Sequence, residues 1–200
     1  ARVRFQKIMA MCSKSHNYIQ WAPCIIIICL IISNVIPLYA APIRTVEAVA
    51  TKISDGDTIQ AVTKEGTKIK IRLYGIDAPE TEKSNKKTGH VSKQGEPFGE
   101  ESREYLSSMI DGKHIRIDII TIDRYRRMVG VIWLDNKNVN LEMIKASMAE
   151  AYREYLKEPY RAQFIQAERV ARADKRGIWS QGANYERPSA YRKRMGIGEI

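Results

Sequence analysis

A mainly β, α+β domain, built as a small five-stranded barrel with about three helices at one end, is predicted by three features of this 200-residue sequence. Five short runs carry β-branched residues or strand-like alternation. One helical run falls between the third and fourth of them. Two more helical runs follow the fifth, and no internal repeat interrupts the order.

The first strand is "IRTVEAVA", which alternates poorly but is rich in β-branched residues. "TIQAVT" and "KIKIRLYG" follow, joined by "KEG", whose glycine suits a short hairpin loop. Period-two geometry puts Ile69, Ile71 and Leu73 on one face of the third strand. Lys68, Lys70, Arg72 and Tyr74 take the other. Residues 82–97 have no period and many Lys, Gly and Ser, as in a mobile basic loop with solvated Lys83, Lys86, Lys87 and Lys93. "FGEESREYLSSMI" reads as a helix ended by "DGK". "HIRIDII" and "RMVGVIWL" are the fourth and fifth strands, on either side of the charged corner "TIDRYRR". "VNLEMIKASMAEAY" reads as a second amphipathic helix. "YRAQFIQAERVARADKRG", after Pro159, is a third, with Phe164, Ala167, Val170 and Ala171 on one stripe. "GIWS" closes the domain near residue 180, with Trp179 as a core anchor, and residues 181–200 read as a solvated, flexible basic tail. This order suits the five-stranded OB barrel, a frequent nucleic-acid platform, although a fold alone does not settle function.

The net charge is +10, from 33 Lys and Arg against 23 Asp and Glu. Four of the basic residues lie among the first 40, so the rest keeps a surplus of about six. Such a surplus favours a polyanionic partner only weakly. All three cysteines, Cys12, Cys24 and Cys29, precede residue 41. That excludes from the domain at 41–180 a disulfide framework, a thiolate zinc site and a cysteine nucleophile. His16, His90 and His114 are scattered and form no histidine motif.

Residues 1–40 pair a basic stretch with the apolar run "CIIIICLII" at 24–32, then Pro37 and small residues near Ala40. This is the layout of a cleaved secretory signal, which implies export. The alternative is a membrane anchor facing out of the cytoplasm, since residues 21–39 approach a spanning length.

The chemistry concentrates in "DGDTIQAVTKEGTKIKIRLYGIDAPET", residues 55–81. Asp57 stands just before the second strand, and Asp77 and Glu80 stand just after the third. A hairpin between those strands brings the three acids to one rim of the sheet. Converging carboxylates without His or Cys suit a hard, oxygen-preferring cation such as calcium, and repel one another without it. Taken alone, "DGDT" is better read as ordinary turn chemistry. Arg72, with Arg124, Arg126 and Arg127 in "DRYRR", changes the balance, although each alone suits a solvated surface. Phosphodiester hydrolysis needs a positioned, deprotonated water and fixed cations on the phosphate oxygens. Glu80, a cation on Asp57 and Asp77, and two arginines supply that set, and arginine's planar fork grips phosphate at two points.

Over about residues 43–180, "DGDT…IRLYGIDAPET…DRYRR…GIW" resembles the thermonuclease family, the staphylococcal-nuclease-like secreted nucleases. The resemblance implies an OB barrel and calcium-dependent (Ca2+) endonucleolytic hydrolysis of DNA and RNA, leaving 3′-phosphates. It assigns phosphate binding in catalysis to Arg72 and Arg127, and the catalytic carboxylate to Glu80. Asp57, Asp77 and the carbonyl of Ala78 are the implied metal ligands. Tyr125 falls near the nucleotide phosphate, with Arg124 beside it, and Tyr155 and Tyr152 fall where a base stacks. The family has Tyr-Gly-Arg where this chain has Tyr125-Arg126-Arg127, so a turn that favours positive φ carries a non-glycine residue. Arg126 there is a competitor of Arg127 for phosphate.

A non-catalytic OB-type nucleic-acid-binding module is the second reading, and a membrane-tethered interaction domain the third. The binding module uses the basic surface but gains nothing from carboxylates facing phosphate. The third makes no use of residues 55–81. The nuclease reading expects a monomer acting on nucleic acid, with no stable protein partner.

Overall fold

A computed structural model describes residues 42–85 and 87–196. The apolar run at 24–32 and its expected cleavage point lie outside the described residues. Among the described residues no helix is long and apolar enough to cross a membrane.

The barrel consists of β1 (Arg44–Asp55), β2 (Thr58–Thr63), β3 (Lys68–Leu73), β7 (His114–Ile122) and β8 (Met128–Leu134). They run in the order β3-β2-β1-β7-β8, and a parallel pairing of β3 with β8 closes the ring. The long β1 serves two neighbours. Arg44 to Val49 pairs with β7, and Ala48 to Asp55 pairs with β2 across two register shifts. Such bulges bend a strand and increase its twist, which lets one strand turn a barrel corner. Four two- or three-residue strands are accessory: β4 (Ile76–Asp77), β5 (Lys83–Ser84), β6 (Val91–Lys93) and β9 (Lys137–Asn138). A further short strand, β10 (Glu150–Ala151), pairs with β4.

The core follows the alternation read from the sequence. Ile69, Ile71 and Leu73 point inward with Ile59, Ile117 and Ile132. Helix α1 (Gly99–Ile110) adds Leu106 and Ile110. Lys68 and Lys70 are exposed on the other face, but Arg72 and Tyr74 are buried there because later parts of the chain cover them. Helix α2 (Val139–Lys145) buries Asn140, which stitches three segments together. Its Oδ1 accepts from Ile132 N–H at 2.9 Å, and Nδ2 donates to the carbonyls of Tyr74 and Gly130 at 2.9 and 3.1 Å.

The helix expected over 139–152 is shorter than its pattern. Ser147 adopts φ 62, which ends it, and Glu150 and Ala151 extend into β10. Gly177 packs on that break. A Cβ there would lie 2.2 Å from the Ser147 carbonyl oxygen, and Ile178 N–H donates to the same oxygen at 2.9 Å.

Helix α3 (Tyr160–Ala173) buries Phe164, Glu168 and Ala171. Val170, expected on the same stripe, is exposed; six residues from Phe164 puts it roughly 120° round the helix. Trp179 is buried as expected, in a small cluster with Ala171 and Ile178.

The tail is the main correction. Two short 3-10 turns, broken at Gly182 with φ 57, cover Gly177–Asn184, and α4 follows at Pro188–Arg194. Tyr191 and Arg192 are buried, so this stretch packs onto the domain rather than extending into solvent.

Replacing Asn140 with Ala leaves one buried N–H and two carbonyls without this partner. The expected cost is about 3 kcal/mol in urea unfolding. A change below roughly 1 kcal/mol would show that the asparagine is not a structural tie.

Candidate active site

The site grows from the turn between β1 and β2. Asp55 ends β1, and Gly56 lets the chain pass close to α1. A Cβ at Gly56 would lie 1.9 Å from Ser102 Oγ and 2.8 Å from the Ala78 methyl carbon. Asp57 follows, and its carbonyl accepts from Leu73 N–H at 2.7 Å, which fastens the turn to the end of β3. Asp77 lies in β4, held opposite Glu150 of β10. Glu80 comes three residues later. Its N–H donates to Glu96 Oε2 at 2.8 Å, and its carbonyl oxygen would lie 2.2 Å from a Cβ on Gly99. The start of α1 therefore requires glycine and pins Glu80 in place.

Arg72 joins these pieces. Nη1 donates to Asp57 Oδ1 and Nη2 to Asp77 Oδ1, both at 2.8 Å. Asp57 Oδ1 also accepts from Thr58 Oγ1 at 2.9 Å, and its Oδ2 from Ala78 N–H at 3.2 Å. Two cations that the sequence reading left in solvent complete the cluster. Arg192 Nη2 donates to both oxygens of Asp77 at 2.9 Å, and Nη1 to Glu80 Oε1 at 3.3 Å. Lys93 pairs with Glu80 Oε2. The lysine expected to be solvated is therefore an ion-pair partner, its side chain 8% exposed.

The electrostatics follow from this packing. Burial acts to raise the Asp57 carboxyl, but Arg72 and Arg192 outweigh it and hold the group below its ordinary value. Asp55 is shifted the other way. Burial, with Asp57 and Glu80 nearby, pushes it up to about 7. Burial also opposes charge on Arg192, but Asp77, Asp57 and Glu80 more than offset this and raise it.

The structure thus gathers Arg72, Asp57, Asp77, Ala78 and Glu80 at one rim, as the sequence predicts. Arg127 is held separately. It is buried, its Nε donates to Asp123 Oδ2 at 2.6 Å, and its N–H donates to Asp123 Oδ1 at 2.8 Å. The parallel register pairs Arg72 with Val129, two residues beyond Arg127, so Arg127 leads into the strand that lies beside β3. Tyr125 is exposed, with Arg124 and Arg127 at 4.9 and 5.7 Å from its ring centre. Arg126 is exposed with φ 62. The turn keeps its left-handed residue even without glycine, and Arg126 and Arg127 occupy different environments. Tyr155 is exposed and meets Tyr152 edge-on at 5.0 Å. Tyr74 Oη anchors that loop, donating to the Tyr155 carbonyl and accepting from Lys157 N–H, both at 2.9 Å.

The donors Asp57, Asp77, Glu80 and the Ala78 carbonyl are all oxygen and fit a hard cation. Among the described residues no three acids already form a metal-binding group. Arg72 lies between Asp57 and Asp77, and Arg192 between Asp77 and Glu80.

Sequence reasoning missed Arg192, Lys93 and Glu96. Pro188 at the first turn of α4 was an available helix-start signal. Nothing local pointed to Lys93 or Glu96.

Two expectations follow. Arg126→Gly removes left-handed strain from a non-glycine residue and raises stability by up to about 1 kcal/mol in denaturant unfolding; a loss of stability would contradict this. Burial, with Glu80 beside it, raises Glu96 from 4.5 to about 7. The folded state then holds a proton that the unfolded chain gives up. This contribution is complete below pH 4.5 and is lost as pH rises to 7. Glu96→Gln therefore flattens the fall of melting temperature between pH 5 and 7, and equal slopes in both proteins would refute it.

A family model described as "Staphylococcal nuclease homologue" matches residues 70–181. An "Uncharacterized endonuclease" of Haemophilus influenzae is 36% identical over 146 residues, 73% of this chain and 72% of that protein. A "Micrococcal nuclease" of Shigella flexneri is 32% identical over 151 residues, 71% of this chain and 78% of its own. A "Probable endonuclease" of Pyricularia oryzae is 36% identical over 141 residues, and there the match spans about half of the relative's length, 51%. Over more than half of its length, and with the barrel and the acid-arginine rim in place, this chain belongs to the staphylococcal nuclease homologue family.

Proposed function

We propose that this protein is an endonuclease that hydrolyses phosphodiester bonds of DNA and RNA with calcium as its cation, leaving 3′-phosphates. The observation that carries the reading is the bridging of Asp57 and Asp77 by Arg72, with Glu80 on the same rim. The nuclease relatives support the reaction class. The basic and apolar order of residues 1–40 supports export.

In this reading Asp57, Asp77 and the Ala78 carbonyl hold the ion, which when bound supplies positive charge against the phosphate. The Glu80 carboxylate orients a water and accepts its proton as the water oxygen bonds to phosphorus. The bond from phosphorus to the 5′ oxygen breaks opposite, and that oxygen takes a proton from solvent. The Arg72 and Arg127 guanidiniums hold the non-bridging oxygens, where negative charge grows. Tyr155 and Tyr152 offer an aromatic surface to a neighbouring base, and Tyr125 with Arg124 sits on the phosphate side.

The test is cleavage of single-stranded DNA and RNA with calcium and then with excess chelator. Cleavage lost on chelation and restored by calcium supports the reading. Tight binding without cleavage in either condition indicates the non-catalytic binding module instead. Arg72→Lys is expected to lower turnover by about 10²–10³-fold, because a point charge does not replace a two-pronged contact. Wild-type turnover in that variant would remove Arg72 from phosphate binding.

A further inference from the structure

Helix α4 begins beyond residue 181, past the part of the chain that the family model matches, yet it reaches the centre of the site. With Arg192 in place, every carboxylate oxygen of the three acids is engaged. Both oxygens of Asp77 accept from Arg192, and Oδ1 also accepts from Arg72. Glu80 is shared between Arg192 and Lys93. Asp57 is taken by Arg72, Thr58 and the Ala78 N–H. Three carboxylates thus face three cations, Arg72, Arg192 and Lys93, all supplied by the chain itself.

The hold of α4 is incomplete. Arg192 Nε is buried without a hydrogen-bond partner among the described residues, so part of the guanidinium is desolvated without return. The helix has seven residues, too short to be stable by itself. Beyond the Arg192 ion pairs, its side-chain ties to the domain are few: Tyr191 Oη shares its one proton between the carbonyls of Gln94 and Gly95, at 3.1 and 3.3 Å. Just before the helix, Arg187 Nε donates to Glu150 Oε1 at 2.8 Å.

We propose that α4 is an autoinhibitory strap, in which the Arg192 guanidinium occupies the Asp77 and Glu80 oxygens that a divalent cation and a water-activating carboxylate require. This rests on the reading of these acids given above. Cation binding then requires Arg192 to leave, and the apparent affinity is reduced by the fraction of molecules with the strap in place. By reciprocity, the cation loosens α4 by the same factor.

The experiment compares the full protein with Arg192→Gln by calorimetric titration with calcium. It also follows hydrogen exchange of residues 188–194 in the unaltered protein with and without saturating calcium. The variant is expected to bind calcium at least about ten-fold more tightly, and calcium is expected to remove exchange protection from α4 in the unaltered protein. Equal calcium affinities, or protection unchanged by calcium, overturn the strap while leaving the cation reading intact. Loss of turnover in Arg192→Gln with unchanged calcium affinity also overturns it, because Arg192 then serves the reaction. No calcium binding by either protein overturns the strap and the cation reading together. The exchange measurement needs no variant, so it decides the matter even if Arg192→Gln does not fold.

Discussion

Everything at the rim depends on the double ion pair of Arg72 with Asp57 and Asp77. The arginine side chain is 10% exposed and the two acids less so. Buried charges are tolerated only when paired with good geometry, and removing one member of such a pair costs about 3–5 kcal/mol. Arg72 meets this condition because a guanidinium can place separate N–H groups on two carboxylates. It thereby ties the turn before β2 to the short strand after β3. In the proposed chemistry the same guanidinium would also hold a phosphate, so one group would serve both folding and catalysis.

The charge balance of the cluster explains why the C-terminal segment folds. Asp57, Asp77 and Glu80 without Arg192 and Lys93 would leave a buried negative surplus, and Asp55, pushed up to about 7, shows how little further charge the site accepts. Arg192 answers that surplus and gives an otherwise polar helix a reason to dock. A second network secures its approach: Glu150, opposite Asp77 in the β4–β10 pair, accepts from Tyr185 Oη and Arg187 Nε, both at 2.8 Å. The site and the C-terminal segment are therefore coupled through acids on both strands of that pair.

Much of this was legible because it is local. Strand alternation placed Ile69, Ile71 and Leu73 in the core, and a single hairpin was enough to bring Asp57 to Asp77 and Glu80. What was not legible is long-range. The β3–β8 closure and the bulges of β1 are tertiary facts with no local signature. The second helix stops at Lys145 because Ser147 takes a left-handed conformation against Gly177, thirty residues away. Arg192 is 115 residues from Asp77 and lies in a segment without a hydrophobic stripe, so its basic composition reads as solvated. Lys93 looked solvated for the same reason: a basic loop carries no mark of the acid it covers.

In the proposed reading the rim is a catalytic centre and not a structural ion-pair cluster. Glu80→Gln separates the two most directly, because the amide keeps the shape but cannot accept the water's proton. Single-turnover cleavage of an oligonucleotide should fall by at least about 10²-fold, while oligonucleotide affinity, measured well below the variant's melting temperature, stays close to that of the unaltered protein. Undiminished cleavage by Glu80→Gln would contradict the account.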